Sequence, residues 1–299
     1  GGANNVFGIR LMGGSDNITV SRNTLSDSNT AGVQTSALYV DTNNADMGPI
    51  SATALINVTN NTITGFDAAV SVFDTLNGLP GGLTPGAQLN INNNSVAGNS
   101  LGVVSGFGAT VNASGNWWGI TDETAIAALM TPGVDFSSYL DNSTDTDGGT
   151  AGFQGDFSVV NVTALGEQTG PLSRIQEAIV AVTSGGTINI ASGTYAGNVD
   201  ATATGIDKSV KLVPGSGPGQ VVIDGDLKLD GNDIVDIEVN GTIAGTQYDQ
   251  FVVNGDLALG GATLNLIDGH TPGIAESFIL IKNDGPNPVT RTFNGYPEG

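Results

Sequence analysis

Ile18-Thr-Val20-Ser-Arg-Asn23-Thr-Leu25, Ile56-Asn-Val58-Thr-Asn-Asn61-Thr-Ile63, Leu89-Asn-Ile91-Asn-Asn-Asn94-Ser-Val96 and Val111-Asn-Ala113-Ser-Gly-Asn116-Trp-Trp118 share one register. Each places apolar residues at i and i+2, Asn at i+5 and an apolar residue at i+7. The i, i+2 pair is the alternation of a strand with one buried face. A bend has to follow, because the next inward residue is Asn and the apolar phase resumes only at i+7. An inward Asn in a bend has a physical use, since its amide can donate to and accept from the turn backbone and from the equivalent Asn one rung away. At the strand spacing of about 4.8 Å, Asn23, Asn61, Asn94 and Asn116 would stack into a ladder.

The four copies are spaced by 38, 33 and 22 residues. The shortest interval has room for one further strand at Gly102–Ser105, so a bare coil is read as 22 residues with three short strands. The longer intervals exceed it by 16 and 11 residues, assigned to Asp41–Ala54 and Asp74–Gln88. Both fall after the third strand, so both insertions are expected on one edge of the coil; such a face is often the binding face of a solenoid, and neutral loop decoration is the simpler alternative.

Composition agrees with a chain of strands and turns. Of 29 acidic residues 23 are Asp and six are Glu, and there are 45 Gly. Asp, Asn and Gly favour turns, whereas Glu favours helices. The net charge is −21, with eight basic residues. That balance disfavours nucleic acid, which needs clustered Lys and Arg, and anionic membrane surfaces. No Cys is present, so there is no disulfide framework. No apolar run approaches the roughly 20 residues of a membrane-spanning helix, so no membrane insertion is expected of these residues.

The i, i+2, Asn, i+7 coil resembles the right-handed parallel β-helix repeat of pectate-lyase-like proteins. Asn112-Ala-Ser-Gly-Asn-Trp-Trp-Gly119, followed by Val134-Asp-Phe and Tyr139-Leu-Asp, resembles the closing coil of large bacterial surface proteins that carry this repeat. The resemblance implies an all-β fold and an extracellular or cell-surface location. It leaves function open, because the fold hosts lyases, hydrolases, adhesins and inert scaffolds.

Thr121–Met130 reads as a short Ala-rich helix stopped by Thr131-Pro132-Gly133, suited to covering the end of a solenoid. Residues 141–170 begin with Asp141-Asn-Ser-Thr-Asp-Thr-Asp-Gly-Gly-Thr150, which has no apolar period and reads as a linker between a first unit at 1–140 and a second at 171–299. The second unit opens with a helix near 172–183. Ser173-Arg-Ile-Gln176 fits a capping box, and Leu172, Ile175, Ile179 and Val182 share one face. Gly185-Gly-Thr-Ile-Asn-Ile-Ala-Ser-Gly-Thr-Tyr195 after that helix is similar to the start of pectate-lyase-like β-helices. Strands are expected at 210–213, 221–223, 227–229 and 234–239. Residues 239–266 and 277–299 resemble the β-strand repeats of autotransporter-like surface proteins. Gly8-Ile-Arg-Leu11 matches the third strand of a rung, and together with the repeat at the other end this suggests a section of a longer chain.

Lyases on this fold need Asp residues for Ca²⁺ and a basic residue. In the first unit Arg10 and Arg22, with Asp16 and Asp27, are the available set, and surface charges are the commoner explanation. His270 stands alone in a turn, and a metal site needs several ligands. For Ca²⁺, Asp145 and Asp147 fall in half of an oxygen-rich loop, with Ser143 at its first position and Gln154 at its twelfth, so it is not an EF-hand. Asp224, Asp226 and Asp230, with Asp233, form a second acidic stretch. Either could hold Ca²⁺ weakly, and solvated turn acids are the simpler reading. Trp117 and Trp118 could stack on a sugar, but Trp118 occupies the inward i+7 slot. The eight Asn-x-Ser/Thr sequons, at Asn17, Asn57, Asn60, Asn93, Asn112, Asn142, Asn161 and Asn240, are expected of an Asn- and Thr-rich repeat.

Three roles fit. The preferred one is a non-catalytic stalk, filament or adhesin of a large secreted or cell-surface bacterial protein, needing no cofactor though Ca²⁺ could stiffen its turns. The others are a carbohydrate-active β-helix that binds or cleaves polysaccharide, and a subunit stacking end to end on neighbouring copies. A −21 surface repels acidic polysaccharide unless a cation bridges, which weighs against the second.

Overall fold

The computed structural model describes residues 5–13, 17–28, 34–44, 48–73, 83–105, 111–215, 217–271 and 273–296. The fold is all-β, 41% strand and 5% helix, a parallel β-solenoid of about nine turns. It divides into two compact units, one of Gly1–Asp156 with Leu165–Thr169, the other of Phe157–Ala164 with Gly170–Gly299.

In the first unit, Ile18–Ser21, Leu55–Thr59, Gln88–Asn92, Val111–Asn112 and Val134–Asp135 form one parallel sheet. Its register aligns the repeat found in the sequence. Ile18 pairs with Ile56 and Val20 with Val58, and in turn Leu89 pairs with Ile56 and Ile91 with Val58. Thr24–Ser26 pairs with Thr62–Thr64, and the column continues as single bridges through Ser95 and Trp117. The third sheet runs Asn5–Leu11, Gln34–Asp41, Ala68–Phe73 and Leu101–Val104. Apolar residues from all three sides meet inside: Val20, Ile56, Val58, Ile63, Val70, Val72, Leu89, Ile91 and Val96 are buried together with Trp118.

Each rung supplies side chains to the rung above and below, so neighbouring rungs share one core. The helix Glu123–Ala128 is capped by Asp122, whose carboxylate accepts from Ala125 N at 2.8 Å, and it buries Ile126 in that core. Just after it, Met130 bridges to Val103, so the chain takes the place of a third strand. Of the two insertions, Asn43–Asn44 and Gly48–Pro49 form a small antiparallel pair, and Ile50, Ala54 and Leu83 are buried. Residues 45–47 and 74–82 lie outside the described residues.

The second unit repeats the plan. Val159–Val162, Gly186–Ile190, Val210–Pro214, Ile234–Val239 and Thr263–Asp268 form one sheet. Gly193–Ala196, Gln220–Asp224, Gln250–Val253 and Ile281–Asn283 form a second, and Val199–Asp200, Leu227–Lys228 and Leu257–Ala258 a third. The last third therefore continues the same three-sided coil.

The helix Arg174–Ala181 packs on the first coil of this unit. Its capping box is half formed. Ser173 Oγ accepts from Gln176 N, but the Gln176 amide turns away from the cap to the backbone N–H and C=O of Asp200. Ile175, Ala178, Ile179 and Val182 are buried, whereas Leu172 is exposed, because it precedes the Ser173 cap and is not on the helical face. Lys208 Nζ donates to the carbonyls of Val180 and Val182, placing a cation at the helix C-terminus, where the backbone dipole favours it.

Residues 141–170, expected as a linker, divide between the two units. Asp145 bridges to Gly155 in a tight excursion of the first unit, while Val159–Val162 is a strand of the second.

Candidate functional site

The polar residues that repeat are used first on the fold itself. Asn61, Asn94 and Asn116 are fully buried and Asn23 is partly so. Asn61 Oδ1 accepts from the backbone N–H and the Nδ2 of Asn23, at 3.0 and 2.9 Å. Asn94 Oδ1 accepts the same two groups from Asn61, and Asn116 Oδ1 the same two from Asn94. Each Nδ2 also donates to strand carbonyls, for example Asn94 Nδ2 to Val58 O and Asn92 O. The residue just before each Asn has positive φ: Arg22, Asn60, Asn93 and Gly115 lie at 58°, 59°, 55° and 69°. That left-handed step makes the bend and turns the Asn inward. Asn and Gly adopt it readily, whereas Arg does not.

The acidic residues considered for Ca²⁺ do not converge. Asp145 and Asp147 are exposed, and each closes a local turn. Asp145 Oδ1 accepts from Asp147 N and Gln154 N, while Asp147 accepts from Gly149 N and Thr150 Oγ1. Asp230 Oδ1 accepts from Asn232 N at 2.8 Å. Among the described residues no three His, Asp or Glu side chains are grouped to hold a metal.

Asp224 and Asp226 belong to a pattern that the sequence reading missed. One corner of the second unit is built as Gly197-Asn198, Gly225-Asp226 and Gly255-Asp256, each followed by a buried Val199, Leu227 or Leu257. Asn198 Oδ1 accepts from Asp226 N at 3.0 Å, and Asp226 Oδ1 from Asp256 N at 2.8 Å. Asp224 lies one residue before the corner glycine, and its Oδ1 faces Asn254 Nδ2 at 3.5 Å. The glycines stack without room for a side chain, since a Cβ on Gly255 would stand 2.5 Å from Gly225 C, and one on Gly225 equally close to Gly197 C. The signal was present as Gly-Asx-apolar at intervals of 28 and 30 residues.

Arg10 is drawn to Asp41. Its Nη2 lies 2.6 Å from the fully buried Asp41 carboxylate, and its guanidinium sits over the rings of Phe7 and Tyr39, at 5.9 and 5.8 Å. Tyr39 stacks between Phe7 and Phe73. Burial and then the Asp41 charge push the Tyr39 hydroxyl up to about 12, against the pull of Arg10, so it stays protonated at neutral pH. Arg22 is exposed in the turn column, Asp27 donates its backbone N–H to Thr64 O, and Asp16 lies outside the described residues. His270 bonds Glu276 Oε2 at 2.9 Å within its turn. Trp118 is buried in the core, while Trp117 is half-buried in the second column of bridges. The sequon residues Asn57 and Asn112 accept from Asn90 and Asn92 on neighbouring rungs.

Asp135, Asp233, Asp236 and Asp249 are buried as well. Asp249 accepts from Gly219 N and Glu238 N, both at 2.8 Å, and Asp233 from Val210 N and Asp230 N. Burial, with the nearby Glu238 charge, raises Asp249 to about 6 despite those bonds. Asp233 is raised by burial in the same direction.

No protein-family model matches the chain, and no curated protein or solved structure matches it.

Proposed function

We propose that this chain is a non-catalytic structural or adhesive element of a secreted or cell-surface protein, a β-solenoid serving as a stiff support. The observation that carries this reading is the stack of Asn61, Asn94 and Asn116, in which every amide is spent on joining one rung to the next. Several charged residues are also paired within the fold, and the pairs of Arg10, Lys211 and Lys228 join neighbouring rungs. Arg10 pairs with Asp41, Lys211 with Asp236, Lys228 with Asp200 and Lys282 with Asp284, while Arg174 donates to Thr163 O and Lys208 to the end of its helix. A composition rich in Asp, Asn and Gly and free of Cys is compatible with that setting. The test is turnover of polyuronates by the purified chain, with and without Ca²⁺. No turnover is expected, and product above the buffer rate that is lost in Asp41→Asn would overturn the reading.

One feature favours polysaccharide binding as a second reading. The Arg10 side chain is 37% exposed and its guanidinium lies over the rings of half-buried Phe7 and buried Tyr39. A partly exposed guanidinium is suited to the carboxylate of a sugar acid. Calorimetric titration with oligouronates, comparing the native chain with Arg10→Ala, decides it. Binding that the substitution abolishes supports this reading, and no heat in either protein rejects it.

A further inference from the structure

The column of left-handed turns in the first unit is covered by a segment from far along the same chain. Phe153 N donates to Asn60 O at 3.0 Å, and Asn60 Nδ2 donates back to Phe153 O at 3.1 Å. Gly155 N donates to Asn93 Oδ1 at 2.8 Å. Gly152 lies so close to two rungs that a Cβ there would stand 2.0 Å from Asn60 O and 2.7 Å from Arg22 Cα. Phe153 is buried, while Ser143–Gly149, which leads to it, is exposed throughout and holds its shape through its own turn bonds.

In a solenoid each rung touches only its neighbours, so stability is close to a sum of nearest-neighbour terms and the end rungs fray first. Four residues here reach three successive rungs, those of Arg22, Asn60 and Asn93. We infer that Gly152–Gly155 is a strap that couples these three rungs beyond nearest neighbours, so that the first unit opens as a block and not rung by rung. The two glycines are the requirement at either end: Gly152 for its approach to Arg22 and Asn60, and Gly155 because a Cβ there would meet Leu140 Cδ1 at 2.4 Å and Asn93 Oδ1 at 2.8 Å. This coupling stands apart from the support function proposed above, which a polyuronate assay decides and this experiment does not touch.

Native-state hydrogen exchange on the full chain tests it, read at Asn23 N, Asn61 N and Asn94 N, each bonded to the ladder Asn of the next rung. In the native chain the three amides are expected to exchange through one shared opening, at rates within about threefold after correction for intrinsic rate. In Gly152→Ala the Asn23 amide is expected to exchange at least about tenfold faster than that of Asn94. Should that variant not fold, Asn60→Gly keeps the left-handed turn but removes the side-chain bond to Phe153, and the same separation is expected. Inserting two glycines after Gly148, where an added Cβ would meet nothing within 4 Å, lengthens the exposed lead and is expected to leave the rates together. Rates graded from Asn23 to Asn94 in the native chain, or an unchanged ratio in the variants, would overturn the inference.

Discussion

Asn94 Oδ1 accepts two hydrogen bonds from Asn61, one from its backbone N–H and one from its Nδ2, both at 2.9 Å. Asn94→Ala therefore orphans the buried backbone N–H of Asn61, removes one of the three acceptors around its Nδ2, and strips a donor from Val58 O and Asn92 O. An unsatisfied buried polar group costs about 1–3 kcal/mol, so a loss of about 3 kcal/mol or more is expected. Asn23→Ala, at a partly exposed position, is expected to cost about 1 kcal/mol. Both tryptophans, Trp117 and Trp118, lie in the first unit, so urea unfolding followed by tryptophan fluorescence reads that unit alone. Equal midpoints for the two variants would contradict the ladder's graded burial.

Arg22 holds φ at 58° in a column whose other members are Asn60, Asn93 and Gly115. A left-handed backbone costs an ordinary residue about 1 kcal/mol or somewhat more, and Asn less. Arg22→Asn is thus expected to stabilise the first unit by about 0.5–1 kcal/mol, seen as a higher urea midpoint with an unchanged slope. A lower midpoint would mean that the Arg22 side chain supplies an interaction that outweighs its strain.

Gly255→Ala tests the glycine column of the second unit. Its Cβ would stand 2.3 Å from Asp226 Oδ1 and 2.5–2.6 Å from the carbonyl of Gly225, which is backbone and cannot swing aside. Forced displacement of a packed rung costs about 1–3 kcal/mol. Gly231→Ala is the control, since its nearest neighbour would be Gly261 O at 3.8 Å. Thermal unfolding followed by circular dichroism is expected to show a lowered transition for the first variant and little change for the second.

These residues also show what the chain discloses in one dimension. The Asn ladder was legible because one residue type recurs at one position in four copies, and the bend chemistry that requires it is local. The left-handed step before it was partly hidden, because Arg22 occupies a position where Asn or Gly marks the turn elsewhere. The Gly-Asx corner was present at near-constant intervals but escaped notice, since Asn198 gives way to Asp226 and Asp256 and acidic residues in turns invite a metal reading. The strap was not legible. Its partners Asn60 and Phe153 are 93 residues apart, and the surrounding Asp, Thr and Gly have the composition of a linker. The glycine at 152 is explained by the approach of the Asn60 and Arg22 backbones, and that at 155 by the side chains of Leu140 and Asn93.

Asp249 makes the stability of the second unit depend on pH with a definite sign. Its carboxyl is raised from 3.8 to about 6, first by burial and then by the Glu238 charge. A group whose native pKa is raised binds its proton more tightly when folded, so its contribution is fully present below pH 3.8. That contribution declines as the pH rises and is gone above about 6. At 1.36 kcal/mol per unit the decline is on the order of 3 kcal/mol. Asp233 shifts the same way and adds to it. The net charge of −21 also makes the folded chain more repulsive as acids ionise, so the native protein alone does not isolate the effect. The difference between native chain and Asp249→Asn does, because the amide keeps an acceptor for Gly219 N but cannot titrate. The variant carries a constant cost, since its Nδ2 faces the N–H of Glu238. Between pH 4 and 7 the unfolding free energy of the native chain should therefore fall relative to that of the variant, measured by urea titration at each pH. Parallel curves would show that Asp249 titrates alike in the folded and unfolded chain.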